Sequence, residues 1–237
     1  MSIRFSLESD EPALRALWKK TFGDSDDYLD LVFSRILSPQ RALVEEADGE
    51  IRAMLFFPAY SLKLGNERIR AGYLCALATE EAYRRRGIMS ALLRRALSEM
   101  RNAGDGGAFL IPASIDLARY YSRFGFESFF CRIGESGEPD GKETDDREAA
   151  YLAYEASRRA MESAVWATRE QFDAAWEECR LSGGRVYRRG EVFTWRRDGE
   201  LLARHGGSFS RGKAEGLLLL WDREKPEGFG LLDLMLD

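Results

Sequence analysis

Residues 72–100 read GYLCALATEEAYRRRGIMSALLRRALSEM, and no other stretch of the chain restricts its fold so strongly. A strand-like apolar run from Gly72 to Thr79 leads into a charged turn that ends in Arg84-Arg85-Arg86-Gly87. Beyond the turn, Ile88, Met89, Leu92, Leu93, Ala96, Leu97 and Met100 recur at i, i+3 and i+4, with Ser90, Arg94, Arg95, Ser98, Glu99 and Arg101 on the opposite face. That periodicity predicts an amphipathic helix laid on a sheet. The first turn of such a helix holds N–H groups without intrahelical partners and the positive end of the helix dipole. A glycine and three arginines at that end make an anion site, suited to phosphate. The plainer alternative is a solvated basic helix start.

Composition narrows the class. The chain has 237 residues, of which 45% are hydrophobic and 32% charged, enough for one large core or two small ones. No apolar run approaches the roughly 20 residues that span a bilayer, and MSIRFSLESDE lacks an apolar leader, so the expectation is a cytoplasmic protein with no membrane partner. A net charge of −5 argues against nucleic acid as a partner and makes the arginine cluster a local feature. Cys75, Cys131 and Cys179 are too far apart to ligate a metal together and read as free thiols in a reducing compartment. Cys75 precedes the arginine turn, where a nucleophile and a core cysteine are both conceivable. No metal is expected.

Along the chain, Ile3–Leu7 reads as a strand, and Glu8-Ser9-Asp10 before Glu11-Pro12 as a helix start. Leu14, Leu17, Trp18 and Phe22 mark that helix; a second follows Gly23-Asp24-Ser25 with Tyr28, Leu31, Val32 and Leu37. Arg41–Glu45 and Ile51–Leu64 are strands joined at Asp48-Gly49, and Gly65-Asn66 turns the chain back into a strand from about Ile69 to Thr79. After the central helix come a strand at Ala108–Ala113, a helix at Asp116–Phe124 and a strand at Phe126–Ile133. The acidic, glycine-rich stretch 135–147 reads as a linker. Beyond it, helices at Ala149–Met161 and Thr168–Cys179 precede strands at Arg185–Arg188, Glu191–Arg196, Leu217–Trp221 and Phe229–Leu236, with turns at Asp198-Gly199 and Gly206-Gly207. Thr168-Arg169-Glu170-Gln171 has the form of a capping box.

Neither G-x-x-x-x-G-K-[ST] nor G-x-G-x-x-G occurs in the central stretch. Arg84-Arg85-Arg86-Gly87-Ile88-Met89 instead resembles the [RQ]-x-x-G-x-[GA] signature of the GNAT superfamily of acyl-CoA-dependent N-acetyltransferases, with Met89 where a small residue is usual. The element order over residues 1–134 is also that of the GNAT fold. The resemblance implies an α/β (α+β) architecture, a mixed, mostly antiparallel sheet flanked by helices. It further implies that residues 148–237 form a smaller C-terminal α/β unit, a partial second GNAT-like unit without its own arginine–glycine signature. That arrangement is similar to the enhanced-intracellular-survival branch of the superfamily.

The resemblance implies acetyl-CoA as cosubstrate. Its pantetheine arm would pair with the backbone of Leu77, Ala78 and Thr79, and its pyrophosphate would lie on Arg84, Arg85, Arg86, Gly87, Ile88, Met89 and Ser90. In Tyr120-Tyr121-Ser122-Arg123-Phe124-Gly125-Phe126, similar to the Y-x-R-F-G-[YF] element of that branch, Tyr121 takes the position of the general acid toward the coenzyme thiolate, with Tyr120 its nearest competitor. A packing role is the plainer reading of Tyr121. The general base is open: Glu80, Glu81 and the terminal carboxylate of Asp237 are candidates, of which Glu80 and Glu81 have a plain reading as solvated loop carboxylates and nothing in the sequence places Asp237 at the site. His205, the only histidine, reads as incidental.

Three functions compete at this level. The first is direct transfer of acetyl to a primary amine of a small molecule or peptide. A second is a non-catalytic CoA-binding sensor or scaffold, motivated by Met89 and the missing base. The third is a structural role in which the C-terminal unit forms a homo-oligomer or partner interface.

Overall fold

The computed structural model describes residues 2–134, 141–207, 210–222 and 224–232. It divides into two compact units. One comprises Met1–Tyr60, Arg70–Phe126 and Leu219–Arg223; the other comprises Ser61–Ile69, Glu127–Leu218 and Glu224–Asp237.

The first unit begins with β1 (Ser2–Phe5), a 3-10 turn, α1 (Glu11–Phe22) and α2 (Asp26–Arg35). Gly23, at φ +81°, ends α1, and the Ser25 hydroxyl accepts from the Tyr28 N–H to start α2. Strands β2 (Ala42–Ala47), β3 (Glu50–Phe56), β4 (Ala59–Leu64), β5 (Glu67–Tyr73) and β6 (Cys75–Thr79) follow, then α3 (Ile88–Asn102), β7 (Gly107–Leu110) and α4 (Ile115–Ser122). β1, β2, β3 and β6 form an antiparallel sheet in that order, and β5 runs parallel to β7 with Ala71, Gly72 and Tyr73 opposite Gly107, Ala108 and Phe109.

Each of the two long strands expected after Asp48-Gly49 is interrupted. Pro58 has no N–H for the ladder and divides β3 from β4, while its carbonyl accepts from the Tyr73 N–H at 2.9 Å. At Leu74 the N–H turns to Phe109 O, 2.9 Å away, which divides β5 from β6. Helix α1 packs through Trp18 on Phe56, 5.7 Å between ring centroids. Helix α3 lies across β2, β3, β6 and β7 and buries Ile88, Leu92, Leu93, Ala96 and Met100. A Cβ on Gly72 would stand within bonding distance of Met100 Sδ, so this glycine permits the close approach of helix and strand.

In the second unit, β8 (Glu127–Gly134) and β9 (Lys142–Glu143) precede α5 (Arg147–Ala160), β10 (Ser163–Trp166) and α6 (Arg169–Leu181). Then come β11 (Arg185–Arg189), β12 (Val192–Arg197), β13 (Glu200–His205), β14 (Ser210–Leu220) and β15 (Gly230–Leu231). β13, β12, β11 and β9 form an antiparallel sheet, with β9 inside the stretch expected to be a linker. Tyr154, Phe172, Trp176, Phe193 and Trp195 from α5, α6 and β12 are its core. β10 escapes sequence reading because four buried residues are too few to display a period. The strand expected at Phe229–Leu236 is seen as β15 at Gly230–Leu231, and 233–237 lie outside the described residues. Among the described residues Cys75, Cys131 and Cys179 form no disulfide. Among the described residues no helix is long and apolar enough to cross a membrane.

Candidate active site

Strand β6 is the last strand of its sheet, and its geometry leaves one edge open. Met54 lies opposite Ala78 and Phe56 opposite Cys75, so Ala76 and Leu77 together face the single residue Leu55. This bulge holds Ala76 at φ +49°, a conformation that costs about 1–3 kcal/mol for a residue with a side chain. The neighbouring β5 stays with β7 through Tyr73, and the two strands part after the Leu74 hydrogen bond. The Glu80 N–H donates to Arg52 O at 2.8 Å, which fixes the alternation. The Ala78 peptide groups therefore turn inward to β3, while those of Leu77 and Thr79 turn to the open edge. The Thr79 carbonyl there accepts from Arg84 Nε at 3.0 Å.

A 3-10 turn at Glu81–Tyr83 carries the chain from this edge to α3. Arg85 at φ +61° and Gly87 at φ +80° alternate with Arg84 and Arg86, a pattern that can aim successive N–H groups into one concavity. Gly87 is the N-cap of α3 and has no side chain to accept from the helix. The first intrahelical bond runs from the Ala91 N–H to Gly87 O at 3.0 Å, so the N–H groups of Ile88, Met89 and Ser90 have no acceptor within the helix. Arg84, Arg85, Arg86 and Gly87 are exposed, Met89 and Ser90 half-buried, and Ile88 buried. Tyr83, which sequence reading passed over, supports the turn. Arg52 stacks on its ring at 4.4 Å and Arg86 at 5.2 Å.

Helix α4 starts at Ser114, whose hydroxyl accepts from the Leu117 N–H at 3.2 Å. Tyr121 is buried at 7% exposure, between Tyr120 at 5.3 Å and Phe126 at 6.2 Å. Burial, with a smaller contribution from Tyr120, pushes its phenol up to about 12. Tyr121 is therefore a protonated donor at neutral pH. The Tyr120 hydroxyl is 2.9 Å from Ser90 Oγ in the first turn of α3. Desolvation pushes the Cys75 thiol up to about 12 as well, which removes the thiolate that a nucleophile needs.

A family model described as an acetyltransferase (GNAT) domain matches residues 2–129, more than half of the chain. The chain belongs to the GNAT acetyltransferase family. Among curated protein sequences none matches it. Of the solved structures, a GCN5-related N-acetyltransferase from Kribbella flavida superposes with a TM-score of 0.66 at 16% identity, covering 93% of this chain and 71% of that one. Another, from Anabaena variabilis, gives 0.67 at 12% identity over 92% and 72%. Eis1 from Mycobacterium abscessus gives 0.62 at 16% identity; 82% of this chain covers 52% of that one. These likenesses extend beyond the matched GNAT domain into the second unit. They establish a shared fold, and the chain spans about half the length of Eis1.

Of the base candidates, Glu80 is held by Lys20 of α1 at 2.5 Å and Glu81 is exposed. Asp237 lies outside the described residues. His205 sits in the core of the second unit at 2% exposure, its ring 5.1 Å from Tyr154 and 5.7 Å from Trp195. Among the described residues no group of three or more His, Cys, Asp or Glu is placed to hold a metal ion.

Proposed function

We propose that this GNAT protein transfers acetyl from acetyl-CoA to the primary amine of a small molecule or peptide, directly and without an acyl-enzyme. The observation that carries the reading is the continuity of the open β6 edge at Leu77 and Thr79 with the uncapped, arginine-flanked start of α3. An extended amide-bearing arm ending in a pyrophosphate matches both parts: strand-like pairing for the arm and helix N–H groups for the phosphates. On this reading Leu77, Ala78 and Thr79 line the pantetheine, and Arg84, Arg85, Arg86, Gly87, Ile88, Met89 and Ser90 line the pyrophosphate. An open-edge N–H of β6 also suits an oxyanion developing on the thioester carbonyl.

In the reaction the amine nitrogen attacks the thioester carbon, the C–S bond breaks, and the proton lost by the amine ends on sulfur. Tyr121 is the donor to that sulfur. With its phenol near 12 and a thiol near ~8.5, complete transfer from Tyr121 alone is uphill. Its part is a hydrogen bond to the departing thiolate, with the amine-derived proton replacing any it gives up. The raised Cys75 thiol favours direct transfer over a covalent intermediate.

A thermal shift with acetyl-CoA, followed by thiol release over a panel of amines, tests the proposal. Stabilisation with thiol release from at least one amine is the expected result. Stabilisation without release from any amine would favour the CoA sensor, and no stabilisation at saturating cofactor would end both readings.

A further inference from the structure

We propose that Tyr120 is a positioning residue for the cofactor's pyrophosphate, acting through Ser90; this rests on the acyl-CoA reading above. Ser90 is the third residue of α3, one of the three whose N–H groups lack an acceptor within the helix. Its hydroxyl is 2.9 Å from the Tyr120 hydroxyl. A phenol O–H is a better donor than an aliphatic O–H. Either hydroxyl can donate in this pair; in the proposed arrangement Tyr120 donates to Ser90 Oγ, which leaves the serine O–H for an acceptor beside the helix start. An anionic oxygen at Ile88, Met89 and Ser90 is that acceptor. Two hydroxyls in series polarise one another, so the second bond gains strength from the first.

A second contact aligns the pair. Ser90 and Arg94 lie one turn apart on α3, and Tyr120 and Phe124 are likewise four residues apart. The Arg94 guanidinium stacks on Phe124 at 5.4 Å, and Phe124 meets Tyr120 edge-on at 5.3 Å. The hydroxyl bond and the cation–π contact hold the outer side of α3 against the end of α4. Tyr121 is the next residue along α4, so the same contacts link the anion-binding turn to the helix that carries the acid.

Calorimetric dissociation constants for CoA and for 3′-phospho-ADP, which has the pyrophosphate but no thiol arm, test the assignment. Tyr120→Phe keeps the ring and removes only the hydroxyl. It should weaken both ligands alike, by about three- to tenfold. Ser90→Ala should weaken them at least as much, and the double variant should bind no more weakly than Ser90→Ala alone. A loss confined to CoA would place Tyr120 at the thiol end and overturn the proposal, as would additive losses or unchanged affinity. If Tyr120→Phe does not fold, unchanged 3′-phospho-ADP affinity in Ser90→Ala overturns it equally. A wild-type protein that binds neither ligand would defeat the acyl-CoA reading together with this one. Tight binding by both wild type and Tyr120→Phe would defeat only the role of Tyr120.

Discussion

Helices α3 and α6 begin in opposite ways. At α6, Thr168 Oγ1 accepts from the Gln171 N–H at 3.2 Å and Gln171 Oε1 accepts from the Thr168 N–H at 2.9 Å, so side chains of the helix start itself take up two of its N–H groups. At α3 the cap is Gly87, the third residue is a serine bonded to Tyr120, and three N–H groups point outward beside exposed arginines. A side-chain cap typically stabilises a helix by about 1 kcal/mol, which α3 forgoes. Helix α5 is also side-chain capped, with Asp146 Oδ1 accepting from the Ala149 N–H at 3.1 Å. A helix start can supply its own acceptor or leave the place for a ligand, and in the second unit α5 and α6 supply their own. That difference separates the start of α3, open to an anion, from the side-chain-capped starts of α5 and α6.

The largest effect that can sharpen this contrast is expected at Tyr121. If Tyr121 bonds the departing thiolate as proposed, Tyr121→Phe should lower kcat by about a hundredfold or more and leave CoA affinity within twofold, because that bond forms only as the C–S bond breaks. Stopped-flow thiol release and calorimetry measure the two. Since the phenol is pushed up to about 12, its ionisation takes no part in the wild-type pH profile at neutral pH. The wild-type rate should climb as the acceptor amine loses its proton and should show no fall from loss of the Tyr121 proton until pH approaches 12.

Making α3 resemble α6 should break the contrast. Ser90→Glu puts at the third helical position a carboxylate that can reach back to the Gly87 N–H. It should raise the melting temperature slightly, by an amount equivalent to about 0.3–1 kcal/mol, while weakening CoA binding by on the order of a hundredfold. Opposite signs for stability and affinity are the signature, and a variant that still binds CoA normally would refute the anion site. Arg86→Ala removes an exposed cation stacked on Tyr83. It should weaken CoA by about three- to tenfold at low salt and by less at 0.5 M salt. The smallest change is the converse one: Thr168→Ala should cost about 1 kcal/mol in chemical denaturation and leave CoA affinity unchanged.

Much of the candidate site was legible because its signals are local. The helical period from Ile88 to Met100, the Arg84–Gly87 turn and the Thr168–Gln171 box each lie within a short stretch, and each appears where the sequence puts it. The bulge at Ala76 was not legible, since nothing in Cys75-Ala76-Leu77 marks a left-handed alanine. That conformation is set by the ladder to β3 on either side. Tyr83 and the Ser90–Tyr120 bond were invisible for a related reason: their partners lie on other elements, at separations that no periodicity records. The break at Leu74 likewise depends on Phe109, across the helix connection. His205, expected in a turn-rich segment, ends β13 inside an aromatic core because Phe172 and Trp195 converge on it.

The central claim is that the open start of α3, with the free edge of β6, holds the cofactor, and that the capped start of α6 does not. Backbone amide resonances followed through a CoA titration read this directly. The account predicts the largest shifts at Leu77, Thr79, Ile88, Met89 and Ser90, with Arg169, Glu170 and Gln171 unmoved. Saturable shifts centred on the α6 residues, or CoA binding that leaves the amides of Ile88, Met89 and Ser90 unperturbed, would contradict it.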